Sequence, residues 1–366
     1  MVKKLHPRVG MLIPQESKCG VVTYSNFLLD EIKGQKKFPV EAVINTCGSD
    51  LECYRALAQR MENEFDLIHV QFEFARFGKK FVSGIGARNF FGALSGKIPV
   101  ITTLHDLPES PNPIVRIAQT HFLAKVMEKS SQVLVHTTHS STKLSSMYPT
   151  HASKIRIMPH GMFVPATTPA KKKVPVPLKG KTVIGFFGFL SPHKNVELVL
   201  DAIAKLPPNY VALIAGEGQT PVQRTYEESL RQHVHELGIA DRVYWEGFVL
   251  DARLGEVFSW MDIVVFPYHK VTESGALHLA LANKKIIFAS RLPAFEELAN
   301  AHSCIRIFSG TDDLVTQIQE IIVSPAARKE MLANIPKLVS QRSWKAVAAQ
   351  HIQLYHDLTT TAKVHA

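Results

Sequence analysis

The chain predicts an α/β fold of two tandem doubly wound domains, each a parallel sheet covered by helices on both faces. Short apolar runs alternate with stretches of helical periodicity along the whole length. The apolar runs are continuous, as strands buried on both faces require. At mid-chain, FVPATTPAKKKVPVPLKGK (163–181) breaks the pattern with prolines, lysines and no periodicity, the composition of an interdomain linker. The expected organisation is a first domain over 1–165, a linker over 166–181, a second domain over 182–340 and a C-terminal segment over 341–366 that returns to the first.

The strands expected in the first half are Val9–Ile13, Val40–Ile44, Leu67–Val70, Val100–Leu104, Gln132–Thr137 and Ile155–Met158. Helical patterns such as Tyr24–Ile32 and Leu51–Glu62 fall between them. In the second half the strands are Val183–Phe187, Val211–Ala215, Val243–Glu246, Ile263–Pro267, Ile286–Ala289 and Ile305–Phe308. After the seventh strand, Ser191 is placed to cap a helix, Pro192 suits its first position, and Val196, Val199, Leu200 and Ile203 recur at helical spacing. The final helix, Ser343–Leu358, carries an apolar stripe of Trp344, Val347, Ala348, Ile352, Leu354 and Tyr355.

With 46% hydrophobic and 20% charged residues among 366, the composition is globular and not disordered. No apolar run reaches the roughly 18 residues that span a bilayer. Pro7, Arg8 and Pro14 interrupt the opening apolar run, and no cleavage site follows it. Cys19, Cys47, Cys53 and Cys304 show neither metal-ligand spacing nor a disulfide framework, so a reducing cytoplasm is expected. The net charge of +10 lies wholly in residues 1–173, which hold 23 Lys and Arg against 13 Asp and Glu; the remainder balances. Such asymmetry suggests an anionic partner, for instance a membrane surface or lipid phosphate, or serves solubility alone. No nucleic-acid-binding signature is present. Phe74–Phe91, which mixes Lys79, Lys80 and Arg88 with five phenylalanines, suits either peripheral membrane contact or a buried helix with a basic edge.

Open parallel sheets take ligands at the carboxyl ends of their strands. In the first half four groups stand there. Gly20 and Tyr24 follow the first strand; His69, Gln71 and Glu73 alternate through HVQFEF; His105 and Asp106 end the fourth strand; Pro159, His160 and Gly161 end the sixth. The polar alternation of HVQFEF suits display at a strand edge or end, and a histidine at a strand tip can hold a hydroxyl or take a proton. In the second half, Lys194 falls in the expected helix's first turn, where a cation is misplaced unless an anion completes the site. Gly216 and the pair Phe248–Val249 end the next two strands, and Ser274, Gly275 and Ala276 begin a helix beside Glu273. That glutamate can bind a sugar hydroxyl or favour the helix dipole. No Walker loop, G-x-G-x-x-G at the first strand, nucleophile elbow or metal cluster is present.

Taken in order, GVVTYS, HVQFEFARFG, TTLHD, MPHG, FGFLSPHKN, AGEG, EGFV and FPY…ESGALHLALA resemble the motifs of the family-4 glycosyltransferases, retaining enzymes of GT-B fold. HVQFEFARFG is similar to a bacterial subgroup motif in which Q-H-E-x-x-x-F-G is usual. The resemblance implies a metal-independent hexosyltransferase with a nucleotide-diphosphate sugar on the second domain and the acceptor, saccharide or lipid-linked, on the first. No cofactor is implied. Lys194 and Gly188 would meet the diphosphate, Gly216 and the backbone at Phe248 and Val249 the nucleoside. Ser274, Gly275 and Ala276 would cover the phosphates and sugar, with Gly20 close to the phosphates. His105 and Glu273 would face the reacting sugar, with Tyr24, Gln71, Glu73 and His160 on the acceptor side. Two departures stand out: Phe189 occupies the place of the family's arginine in G-R-L-x-x-x-K, and no register yields both glutamates of E-x7-E. Thr272 and Ala280, or Glu273 and Leu281, fall there. A GT-B phosphorylase or epimerase, or a non-catalytic binding protein, is the alternative expectation.

Overall fold

A computed structural model describes residues 6–15, 20–35, 38–78, 83–162 and 174–364. The chain forms two compact units, one of Met1–Gly161 with Arg342–Ala366, the other of Met162–Gln341.

In the first unit the strands are β1 (Val9–Pro14), β2 (Val40–Asn45), β3 (Leu67–Phe72), β4 (Val100–Leu104), β5 (Gln132–Val135) and β6 (Ile155–Ile157). They form one parallel sheet in the order β2-β1-β3-β4-β5-β6. The helices are α1 (Gly20–Gly34), α2 (Leu51–Glu64), α3 (Ile85–Ala93), α4 (Pro113–Lys129) and α5 (Thr138–Met147). Their starts follow from local chemistry. Asp50 accepts from the amides of Glu52 and Cys53, Asn112 caps α4 ahead of Pro113, and Thr137 accepts from Ser140 N.

The second unit holds β7 (Thr182–Phe187), β8 (Tyr210–Ala215), β9 (Val243–Gly247), β10 (Ile263–Phe266), β11 (Ile286–Ser290) and β12 (Ile305–Phe308), parallel in the order β12-β11-β10-β7-β8-β9. Its helices are α6 (Glu197–Lys205), α7 (Pro221–Glu236), α8 (Leu254–Trp260), α9 (Gly275–Ala282), α10 (Pro293–His302), α11 (Thr311–Val323) and α12 (Pro325–Gln341). This strand order is that of the doubly wound dinucleotide-binding sheet, with its reversal between β7 and β10. The last helix, α13 (Trp344–Val364), belongs to the first unit, where Val347, Ala348 and Tyr355 are fully buried.

All twelve expected strands form, because each is an apolar run that a two-faced sheet can bury. Three local expectations are corrected. First, α6 begins at Glu197, not beside Ser191: Pro192–Lys194 is a 3₁₀ turn ended by Asn195 at φ 49°. The Ser191 hydroxyl bonds His193 Nδ1 at 2.9 Å instead of capping a helix. Lys194 N, Asn195 N and Val196 N already bond Ser191 O, Pro192 O and the Tyr226 hydroxyl, so these three amides are not open to an anion.

Second, Cys47 and Cys53 are bonded, with Cα atoms 5.3 Å apart. The turn closed by Asp50 N on Cys47 O brings them together, a local clip instead of a framework. The expectation of a reducing compartment therefore loses its premise. Cys304 is a free, buried thiol, and Cys19 lies outside the described residues.

Third, HVQFEF is not displayed at an edge. β3 lies inside the sheet, and His69 and Gln71 are 0% and 1% exposed. Of the two readings of Phe74–Phe91, the buried one holds for Phe74, Phe77, Phe90 and Phe91, which lie in the core, while Lys79, Lys80 and Phe81 lie outside the described residues. Among the described residues no helix is long and apolar enough to cross a membrane.

Candidate active site

At the β7–β10 reversal of the second sheet, the loops after both strands converge on Gly188. A Cβ built on this glycine would lie 2.8 Å from Lys194 Nζ, 3.7 Å from the Ala276 methyl and 3.8 Å from the Tyr268 hydroxyl. Its φ of 135° suits glycine alone. Gly216 is packed as closely: its Cβ would sit 1.9 Å from Gly188 O, so the two loops touch through backbone. Lys194 is half-buried, its ammonium 5.2 Å from the centre of the Tyr268 ring. Burial pulls its pKa down to about 8, because the charged form loses hydration.

The second wall is the start of α9. Ser274 is its N-cap, accepting from Leu277 N at 3.2 Å. Gly275 is exposed and Ala276 sits beside Gly188, so the positive end of the helix is aimed at the same place as the lysine. Of the two helix starts expected to favour an anion, that of α9 stands beside Gly188, and the Lys194 ammonium reaches the same glycine from the other side of the reversal point. Glu273 Oε1 is engaged within the protein, accepting from His278 Nε2 at 2.6 Å and Ser274 N at 3.2 Å. Its place there orients the cap. Val249 is buried and Phe248 is 37% exposed, its ring nearly parallel to Phe189 with centres 6.4 Å apart. Phe189 thus continues the Gly188 loop as an aromatic surface where the family's arginine would put charge.

In the first unit, His105, at the tip of β4, bonds Gln71 Oε1 through Nε2 at 2.9 Å. Its ring meets Tyr24 edge-on at 4.9 Å and His136 at 5.4 Å. Burial first, then the imidazoles of His136, His160 and His69, hold it well below the usual histidine range and therefore neutral. Tyr24 also meets His160 at 5.0 Å and Trp344 at 5.1 Å. Gln71, His105, Tyr24 and His160 therefore form one cluster. Glu73 does not join it: its carboxylate pairs with Arg76 at 3.0 Å. Arg76 helps line a cavity of about 220 Å³ at the carboxyl ends of β1, β2 and β3, with Pro14, Gln15, Asn45, Gly48, Ser49, Ala75 and Gly78. That cavity opens at the β1–β3 reversal of this sheet, and the one cation among its described lining residues, Arg76, is paired with Glu73. Gly20 opens α1, exposed, with nothing within 4 Å of where its Cβ would be. Among the described residues no group of three or more His, Cys, Asp or Glu is disposed to hold a metal ion.

Tyr268, His136, Asn45 and Arg76 had no distinguishing signal in the sequence, because each depends on which loop faces which. Nor did His278: Glu273 precedes the N-cap Ser274, and its reach to His278 depends on how the loop enters α9.

The sequence profile of the glycosyl transferases group 1 family matches residues 168–338. A D-inositol 3-phosphate glycosyltransferase of Gordonia bronchialis is 24% identical over 281 residues, 70% of this chain and 57% of that protein. The enzyme of that name from Rhodococcus opacus is 21% identical, over 72% of this chain and 63% of its own. The chain thus spans about three-fifths of these curated relatives. Among solved structures, Anabaena HepE in complex with UDP and glucose superposes with a TM-score of 0.74 at 18% identity, over 96% of this chain and all of that one. Sucrose-phosphate synthase from Thermosynechococcus elongatus gives 0.76 at 16% identity, over 97% and 99%. Both sheets and their helices agree with the two Rossmann-like domains of that architecture. Residues 168–338 thus match the group 1 glycosyltransferases, and the chain as a whole has the GT-B fold of these solved structures.

Proposed function

We propose that this protein is a retaining glycosyltransferase that moves a sugar from a nucleotide-diphosphate donor, a UDP- or GDP-sugar, to a hydroxyl of a saccharide or lipid-linked acceptor. The observation that carries it is the convergence on Gly188 of a half-buried ammonium and the N-terminus of α9. Both favour an anion, and a diphosphate is the anion that a doubly wound sheet takes at its reversal point. The UDP complexes of the Anabaena relative support a nucleoside diphosphate here.

In the reaction the bond from the anomeric carbon to the diphosphate breaks and its electron pair leaves with the phosphate oxygen. The acceptor oxygen bonds that carbon on the same face, and its proton passes to the departing phosphate. Negative charge grows on the diphosphate, and Lys194 with the amides of Gly275 and Ala276 stabilises it without a metal ion. Fixed donors of this kind are worth roughly 10²–10³ in turnover apiece. The cavity at the β1–β3 reversal, lined by Gln15, Asn45, Ser49 and the paired Arg76, suits the hydroxyls of a polyol acceptor better than a free anion.

The test is a panel of UDP- and GDP-sugars assayed for hydrolysis and for transfer to sugar and lipid-linked acceptors in the presence of a chelator. Release of nucleoside diphosphate from one donor, with product of retained anomeric configuration, is expected. Turnover that needs free phosphate, or none with any donor, contradicts it.

A further inference from the structure

We infer that Gln71 is a positioning residue for His105, fixing its imidazole as the Nε2–H tautomer and leaving the Nδ1 lone pair to accept from a hydroxyl. The backbone sets the pair up. Gln71 stands opposite Thr103 in the β3–β4 ladder, and His105 N bonds Phe72 O at 2.9 Å just beyond it. This register brings the Gln71 amide and the imidazole together at the tip of β4, with Gln71 Oε1 2.9 Å from His105 Nε2.

The direction of the amide decides the tautomer. A carboxamide oxygen only accepts and its nitrogen only donates. Gln71 Nε2 lies 3.6 Å from the thioether of Met11 and 3.3 Å from His69 Nε2. Reversing the amide would set its oxygen against the sulfur lone pairs, so the nitrogen belongs on the Met11 side. Oε1 then faces His105, and an oxygen that only accepts requires a proton on His105 Nε2. The other end of the network agrees. His69 Nε2 receives Gln71 and the Thr103 hydroxyl (2.8 Å), and its Nδ1–H donates to the Tyr355 hydroxyl of α13 at 2.8 Å. Every member is neutral and satisfied, as a buried polar network must be. Among the described residues His105 Nδ1 makes no hydrogen bond.

The inference rests on the transfer reading only in naming the partner of Nδ1, a hydroxyl of donor sugar or acceptor. The test is ¹⁵N NMR of the histidine-labelled full chain at pH 7.5, with His105→Asn identifying the signals, alongside kinetics of Gln71→Met and Gln71→Glu. A bare Nδ1 and protonated Nε2 are expected in the wild type. Gln71→Met is expected to mix the tautomers and lower kcat about tenfold, the worth of one hydrogen bond, with KM for the sugar nucleotide unchanged. Gln71→Glu keeps an oxygen on Nε2 and so keeps the tautomer. Its carboxylate stabilises the imidazolium and adds an acid limb to the kcat profile that the wild type lacks. A protonated Nδ1 in the wild type overturns the inference whether or not the variants fold. So does a Gln71→Met enzyme with unchanged tautomer and kcat. The expected tautomer in a protein that turns over no sugar nucleotide contradicts the transfer reading alone.

Discussion

Gly161 and Trp344, 183 positions apart in the chain, pack so closely that a Cβ on the glycine would lie 2.3 Å from the indole. The indole is 5% exposed and also faces Tyr24 and His160, so it cannot retreat without opening the cluster around His105. Gly161→Val is therefore expected to cost about 1–3 kcal/mol by overpacking, read as a lowered Tm. Pairing it with Trp344→Leu should restore part of that loss. An unchanged Tm in the single variant would show that the helix and glycine are not in contact.

Acid should weaken the first unit before it affects the carboxylates. His351 is fully buried and held down to about 4, chiefly by burial, and its ring stacks on His69 at 5.5 Å, itself held well below the ordinary value by burial and by His351. Both bind protons more readily when unfolded, so their contribution is present above about pH 6.5 and is lost as pH falls toward 4. For His351 alone the loss is about 3 kcal/mol at the low end. His351→Gln should flatten the fall of Tm between pH 6.5 and 4.5, and an equally steep fall in that variant would refute the assignment.

The Cys47–Cys53 bridge clips the turn that supplies Gly48 and Ser49 to the cavity at the β1–β3 reversal. In the chain-entropy account a loop this short is worth about 2 kcal/mol. Non-reducing digestion should recover the two cysteines in one linked peptide, and dithiothreitol should lower Tm in the wild type but not in Cys53→Ser. Full alkylation of both thiols before reduction would contradict the bridge.

Ser274 caps the helix that points at Gly188. Ser274→Ala should lower stability by about 1 kcal/mol and weaken binding of UDP or GDP together, because the amides of Gly275 and Ala276 lose their alignment. Loss of stability with unchanged nucleotide binding would separate the cap from the site.

The strands were legible because a parallel sheet demands continuous apolar runs, and Val183–Phe187 or Ile263–Pro267 can be little else. Lys194 and the Ser274 loop were legible as separate suspects. Their meeting at Gly188 was not, since it depends on Asn195 turning left-handed and ending the 3₁₀ turn early. The buried network was misread for the opposite reason. His69 and Gln71 alternate as polar residues on an exposed face would, and only the returning Tyr355 and the neighbouring Met11 give them partners inside. A local disulfide six residues long leaves no framework pattern, so Cys47 and Cys53 gave no warning.

The central claim, that the Lys194 ammonium at Gly188 holds the donor diphosphate, is tested most directly by calorimetric titration of UDP and GDP into wild type and Lys194→Ala from pH 6.5 to 9.5. The anion needs the protonated amine, and the free lysine titrates at about 8. Wild-type affinity for one nucleotide should therefore hold steady at lower pH and fall above about pH 8. Lys194→Ala should bind at least tenfold more weakly with no such fall, at an unchanged Tm, and lose about 10²–10³ in turnover. Equal affinity and the same pH profile in both proteins would contradict the account.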